Sequence, residues 1–248
     1  FLANRNASFT AFGSGSLEEV YGQCLKAGTV LEAKTLEHRL FLNRGMKFEP
    51  RPLPPEAQLA PIFGINVADF DGDGNEDVFV AQNFFAAQKE TPRCDAGRGL
   101  LLLGDGQGGL DPMDGSRSGL KIYGEQRGSA VADYNRDGRP DLAVTQNGTY
   151  TRLYENTGGR PGIRVRLRGQ AANPTSVGAI LRLQFADKKS GPARSISAGS
   201  GYWSQDSAVQ VLATPQTPTH VSVTWPGGQT TRIPVPDAAR EITVAIDR

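Results

Sequence analysis

Apolar residues in this chain come in short runs broken by clusters of Gly, Asp, Asn and Pro. Leu40-Phe41-Leu42, Val78-Phe79-Val80, the four leucines between Gly99 and Gly104, and Leu142-Ala143-Val144 are all strand-sized. Further along, Ile163, Val165 and Leu167 alternate with Arg164, Arg166 and Arg168, the period-two signature of a strand with one face covered. Leu181, Leu183 and Phe185 fall on one face of the next run, and 209–211, 221–225 and 242–246 continue the series. Turn signals such as Pro226-Gly227-Gly228 separate them. The pattern predicts an all-β chain. The best helix candidate is 16–26, with Ser16 as N-cap and Glu19 three residues on.

The early strands recur in a longer repeat. Units open at Phe1, Leu40, Leu101 and Leu153, each as an apolar strand, a turn of Asn, Asp or Gly, and a second strand beginning with an apolar residue. Units of this length with several short strands suggest propeller blades. Two complete units and a partial one do not close a ring of four or more, and open blades expose sheet edges. Remaining blades, or another subunit, are therefore expected to cover the edge. The chain begins in mid-pattern at Phe1, as expected of a mature product, an engineered piece or part of a longer chain.

Late in the two middle units lie two acidic loops. The first is Asp69-Phe70-Asp71-Gly72-Asp73-Gly74-Asn75-Glu76-Asp77, the second Asp133-Tyr134-Asn135-Arg136-Asp137-Gly138-Arg139-Pro140-Asp141. Both place side-chain oxygens at positions 1, 3, 5 and 9, with Gly at position 6 for the sharp turn. A calcium ion takes roughly six to eight oxygens, and alternate residues of a tight loop can all point inward. Position 12, where an EF-hand carries a bidentate Glu, holds Val80 and Val144, so these are loops within β-hairpins. Asp and Gly also favour ordinary turns, but two copies in matching context argue for metal, giving two Ca2+ sites.

Composition narrows the rest. The 248 residues suffice for one large or two medium domains, and 30 Gly with 16 Pro favour strands and turns. Net charge is +1, which gives no field to recruit nucleic acid. No apolar run approaches the roughly 20 residues of a membrane span. Cys24 and Cys94 are the only cysteines, and either a single bridge or two free thiols fits them. His38 and His220 are the only histidines, both read as surface residues, and no Gly-x-Ser-x-Gly elbow is present, so no nucleophilic triad forms. Paired carboxylates in metal register make poor general acids. The glycines of 104–109 lack the Lys-Ser/Thr of a phosphate loop and read as a hairpin turn. Arg164, Arg166 and Arg168 read as a solvated face. Trp225 reads as a core anchor, and Tyr202-Trp203 as core or as a contact surface.

Phe63-Gly64 with 65–74, and 128–138, resemble FG-GAP (VCBS) blades of the kind found in integrin α-subunit propellers. The tail resembles the ASPIC/UnbV domain that follows such blades in cartilage acidic protein and many bacterial exported proteins. It does so through Leu167-Arg168-Gly169, Asn173, Val177-Gly178-Ala179, 199–205 and 223–228. The resemblance implies a partial β-propeller followed by a C-terminal β-sandwich or barrel. Its segments would be a degenerate blade with a helical insertion at 1–39, two calcium blades at 40–159 and the ASPIC/UnbV domain at 160–248. It also implies calcium ligands at Asp69, Asp71, Asp73, Asp77, Asp133, Asn135, Asp137 and Asp141, with backbone carbonyls from Asn75 and Arg139. The expected function is a non-catalytic, calcium-stabilised extracellular or periplasmic module for adhesion or for binding protein or glycan partners, without membrane insertion. The alternatives are an accessory subunit of a larger membrane-associated or extracellular assembly, or an accessory protein like the UnbV members of enediyne biosynthetic clusters.

Overall fold

The computed structural model describes residues 8–22, 24–29 and 31–246. Contacts divide the chain into two compact units, Phe1–Glu37 and His38–Arg248. Within the first lie three short helices, α1 (Phe9–Ser14), α2 (Leu17–Tyr21) and α3 (Cys24–Ala27). The capping box expected at Ser16 and Glu19 is present. The helix expected over 16–26 is split, because Gly22 ends α2 at φ 54°, a conformation a side chain resists. The strand expected at Phe1 lies outside the described residues. Phe9, expected to open a second strand, instead opens α1, with Ser8 accepting from the Ala11 N–H at 3.1 Å. No strand occurs among the described residues of this unit.

The second unit begins with a hairpin of β1 (Arg39–Asn43) and β2 (Phe48–Pro52), followed by α4 (Pro55–Gln58). His38 is half-buried there rather than on the surface. Its N–H donates to Gln58 Oε1 at 2.8 Å, and its Nδ1 lies 2.8 Å from the Ala57 carbonyl. Next come β3 (Ile62–Ala68), β4 (Asp77–Gln82), β5 (Leu100–Gly104) and β6 (Leu110–Met113), one antiparallel sheet in chain order. After α5 (Gly115–Ser118), β7 (Glu125–Ala132), β8 (Asp141–Asn147) and β9 (Arg152–Tyr154) form a second antiparallel sheet. Phe79, Ala81, Leu101, Ile122, Leu142 and Val144 pack into one core between these two sheets.

The sheets cut across the units read from the sequence. The hairpin at Leu101 forms the outer half of the first sheet instead of opening the second. The opening at Leu153 supplies only β9, and the next strand joins a different sheet.

That strand is β10 (Ile163–Arg168), followed by β11 (Ile180–Phe185), β12 (Arg194–Ser195), β13 (Gln210–Leu212), β14 (Pro218–Thr224), β15 (Thr230–Pro234) and β16 (Glu241–Ala245). They make two facing sheets, β13-β10-β16 and β12-β11-β14-β15, with no closed barrel among the described residues. All pairings are antiparallel except β10 with β16. The alternation on 163–168 buries Ile163, Val165 and Leu167, which meet Leu181, Leu183, Val221 and Val223 from the opposite sheet. Trp225 is fully buried in this core, and its indole N–H donates to Thr231 Oγ1 at 2.8 Å. Both cysteines are free thiols, and among the described residues no helix is long and apolar enough to cross a membrane.

Strand β3 lies beside β7, and Gly64 is what permits the approach. A Cβ there would sit 2.6 Å from Ser129 Oγ and 2.8 Å from the Arg127 carbonyl. Gly64→Ala is expected to cost about 1–3 kcal/mol through this overpacking. Gly158→Ala, where a Cβ meets nothing within 4 Å, is expected to be neutral. Urea unfolding of the two variants checks the pair.

Candidate metal centre

The two acidic loops occupy equivalent places. Ala68 pairs with Asp77 across β3–β4, and Ala132 with Asp141 across β7–β8, so each loop is the connection of a hairpin. Gly74 and Gly138, at position 6, have φ of 99° and 84°, which favours glycine. At position 4 the loops differ: Gly72 has φ 75°, and Arg136 adopts φ 64° despite its side chain.

The first loop is wound around its own carboxylates. The Gly72 and Asp73 N–H groups donate to Asp69 Oδ1 at 2.7 and 3.2 Å, and the Gly74 N–H donates to Oδ2 at 2.7 Å. Asp77 closes the base, accepting from the Phe70 N–H at 2.7 Å and the Gly104 N–H at 2.9 Å. The outcome is a cluster in which Asp69, Asp71 and Asp77 each bring a carboxylate oxygen within 4.8 Å of the others. Asp73 and Asn75 serve the loop itself: Asp73 accepts from the Asn75 backbone N–H at 2.7 Å and from its Nδ2 at 2.9 Å.

This cluster is electrostatically uncomfortable. Burial pushes the Asp77 carboxyl up to about 6, against the pull of its two backbone donors, and Asp71 and Asp69 add to the rise. Burial raises Asp69 as well. Glu76 is driven to about 7 by burial, although Arg194 Nη2 lies 2.6 Å from its carboxylate and opposes the shift. Among the described residues, no Lys, Arg or His lies in ion-pair range of Asp69, Asp71 or Asp77. Three converging carboxylates without a counter-charge suit a hard divalent cation, with Asp69, Asp71 and Asp77 as its holders.

The second loop has the same skeleton and different chemistry. Asp133 accepts from the Asp137 and Gly138 N–H groups at 3.0 and 2.9 Å, and Asp141 accepts from the Tyr134 and Asn156 N–H groups at 3.1 and 2.8 Å. Here guanidinium groups intervene. Arg164 Nη1 donates to Asp133 Oδ2 at 2.5 Å and to the Asp133 carbonyl at 3.1 Å, and its Nε reaches Glu241 at 3.0 Å. Arg139 Nη1 donates to Asp137 Oδ2 at 2.8 Å. Asn135 turns its Nδ2 toward Asp137 and Glu155, at 3.2 and 3.1 Å. No second group of three converging carboxylates exists among the described residues. This donor set does not match a divalent ion as the first loop does.

Arg164 is thus a correction to the solvated basic face expected from the sequence. It is 6% exposed and reaches out of the C-terminal sheets into the loop, whereas Arg168 is exposed. Nothing in the alternation of 163–168 distinguishes it, because the partner lies 31 residues upstream in another sheet. Arg194 was equally hidden: its Nη1 donates to the Val67 carbonyl at 2.6 Å while Nη2 pairs with Glu76. Asp206 also escaped notice, accepting on Oδ1 from Asn66 Nδ2 at 3.0 Å and from the Val131 N–H at 2.7 Å, so it clips β3 to β7.

The raised Asp77 carboxyl has a testable consequence for the metal-free protein. A carboxyl whose folded pKa of about 6 exceeds its ordinary 3.8 holds its proton more tightly when folded. Stability in a chelator should therefore fall as pH rises from about 4 to 6, by roughly 1.4 kcal/mol per pKa unit. Asp77→Asn should flatten that slope in urea titrations across this range.

Residues 169–247 match the family model described as ASPIC and UnbV, which supports the resemblance of the C-terminal sheets and leaves the acidic repeats outside the matched segment. No curated protein matches the chain.

Proposed function

We propose that this chain is a calcium-stabilised, non-catalytic binding module of an exported protein, in which FG-GAP/VCBS-type propeller blades carry an ASPIC/UnbV domain. The observation that carries this reading is the convergence of Asp69, Asp71 and Asp77 within 4.8 Å at the base of a hairpin. Calcium accepts an irregular set of carboxylate and carbonyl oxygens, whereas magnesium demands near-octahedral geometry, so calcium is the better occupant. Calcium loops of modest affinity are filled at extracellular concentrations, which supports an exported location. The blade reading is supported by the matched register of both hairpins and by the side-by-side placement of β3 and β7, the position of inner strands around a propeller axis.

The metal's role here is structural. It would neutralise Asp69, Asp71 and Asp77 and so fasten the hairpin, leaving exposed loops free to engage partners. Trp203, 90% exposed beside the half-exposed Tyr202, is the best candidate contact for a protein or glycan, since aromatics dominate binding hot spots. Non-catalytic use of the fold is supported by the two histidines, which are engaged structurally: His38 with Ala57 and His220 with Arg232. An accessory role in a larger assembly is favoured by one further feature. Strands β6 and β9 each pair on one side only among the described strands, leaving edges for further blades or another subunit.

Calcium at a hundredfold excess over Kd stabilises by about 2.7 kcal/mol. For a protein of this size that corresponds to a rise in Tm of roughly 5–10 °C. Scanning calorimetry with calcium and with chelator should show this rise, and Asp71→Ala, which removes the position-3 oxygen, should abolish it. Identical melts in the two buffers would remove calcium from the account.

A further inference from the structure

We infer that the second acidic loop uses no metal ion, because the C-terminal domain supplies its cation: the Arg164 guanidinium takes the place of the ion at Asp133. This rests on reading the first loop as a calcium site and refines it from two ions per chain to one.

The two loops can be compared position by position. At position 1, the Asp69 carboxylate accepts three backbone N–H groups, whereas Asp133 accepts two and the Arg164 guanidinium at 2.5 Å. That pair is enclosed, with side chains 7% and 1% exposed. At position 3, Asn135 replaces Asp71 and keeps the turn, its Oδ1 accepting from the Asp137 N–H at 3.1 Å as Asp71 accepts from the Asp73 N–H at 3.0 Å, while its Nδ2 donates to Asp137 and Glu155. The oxygen remains but its negative charge is lost, so the second loop has one carboxylate fewer to draw in a divalent ion. At position 5, Asp137 accepts from Arg139 through both its backbone N–H at 2.9 Å and its Nη1 at 2.8 Å.

Charge follows the same division. The first loop carries five acidic residues, with Arg194 pairing only Glu76 among them. The second carries three, two of which meet a guanidinium. A divalent ion entering beside Asp133 would face Arg164 across a few ångströms in a water-poor site, where like charges repel strongly. Glu241 holds Arg164 from the other side at 3.0 Å, so the guanidinium has no reason to swing away. The cation at the second loop is therefore built into the chain and cannot be removed by a chelator.

Equilibrium dialysis of the full chain with calcium, read by atomic emission, tests this directly. Wild type and Asp137→Asn should bind the same amount, one ion per chain, and loss of an ion on Asp137→Asn would overturn the proposal. A second measurement uses Asp71→Ala, which removes the position-3 oxygen and silences the first loop, with and without Arg164→Met. Asp71→Ala should melt identically in calcium and chelator, and the double variant, which keeps the Asn135 oxygen in the second loop, should acquire a calcium-dependent rise of several degrees. A calcium response in Asp71→Ala that Asp137→Asn removes, or a folded double variant with no response, would also overturn it. Should the double variant fail to fold, the Asp137→Asn stoichiometry decides. If wild type binds no calcium at all, the reading of the first loop fails, while the melting pair still decides the role of Arg164.

Discussion

Carboxylates drawn together and buried at the foot of a hairpin demand a positive charge, and the hydrogen bonds and ion pairs around the two acidic loops are arranged to meet that demand. Two ionised groups at 4.8 Å, the distance within which the three carboxylate oxygens of the first loop lie, repel by roughly 3–4 kcal/mol at an effective dielectric of 20. Such repulsion is a large part of the 5–15 kcal/mol by which a domain is stable. Backbone N–H groups of Phe70, Gly72, Gly74 and Gly104 offset part of it, since hydrogen bonds to charged groups contribute about 1.5–3 kcal/mol each. The remainder calls for positive charge: the Arg164 guanidinium supplies it at Asp133, and the proposed calcium ion would supply it at Asp69, Asp71 and Asp77.

This makes the C-terminal sheets more than an appendage. Arg164 enters the second loop and Arg194 braces Glu76 of the first. Main-chain bonds fix the same seams: the Arg160 N–H donates to the Asp71 carbonyl at 2.9 Å, and the Gly162 N–H to the Gly138 carbonyl at 2.8 Å. Between them, Asn156 ties one loop to the other, its Nδ2 donating to the Phe70 carbonyl at 2.7 Å and its N–H to Asp141 at 2.8 Å. A disturbance in either loop can therefore reach the other through this one residue, backbone on one side and side chain on the other.

The all-β class, the hairpin setting of both acidic loops and the core face of 163–167 were legible from period-two alternation and turn residues. So was the left-handed glycine at position 6, because only glycine tolerates that backbone cheaply. What sequence could not show was pairing between distant strands. The hairpin at Leu101 joined the preceding sheet, and the opening at Leu153 lost its second strand to another sheet, since partner choice is decided by packing rather than by local pattern. The first helix at Phe9 was obscured by a superficial match to the repeat. Arg164 illustrates the limit for the site: alternation assigns it an outward face, and only the neighbouring loop turns that outside into an interior.

The parallel pairing of β10 with β16 has a consequence for how the molecule is made. Arg164 lies 31 residues from Asp133 but 77 from Glu241. During synthesis the arginine can reach its upstream carboxylate long before its downstream one has left the ribosome. Strand β10 must then wait for the neighbour that completes its sheet, and long-range pairings of this kind form slowly. The bond from Arg164 to Glu241 and the parallel pairing of β10 with β16 can therefore close only when nearly the whole domain has been made.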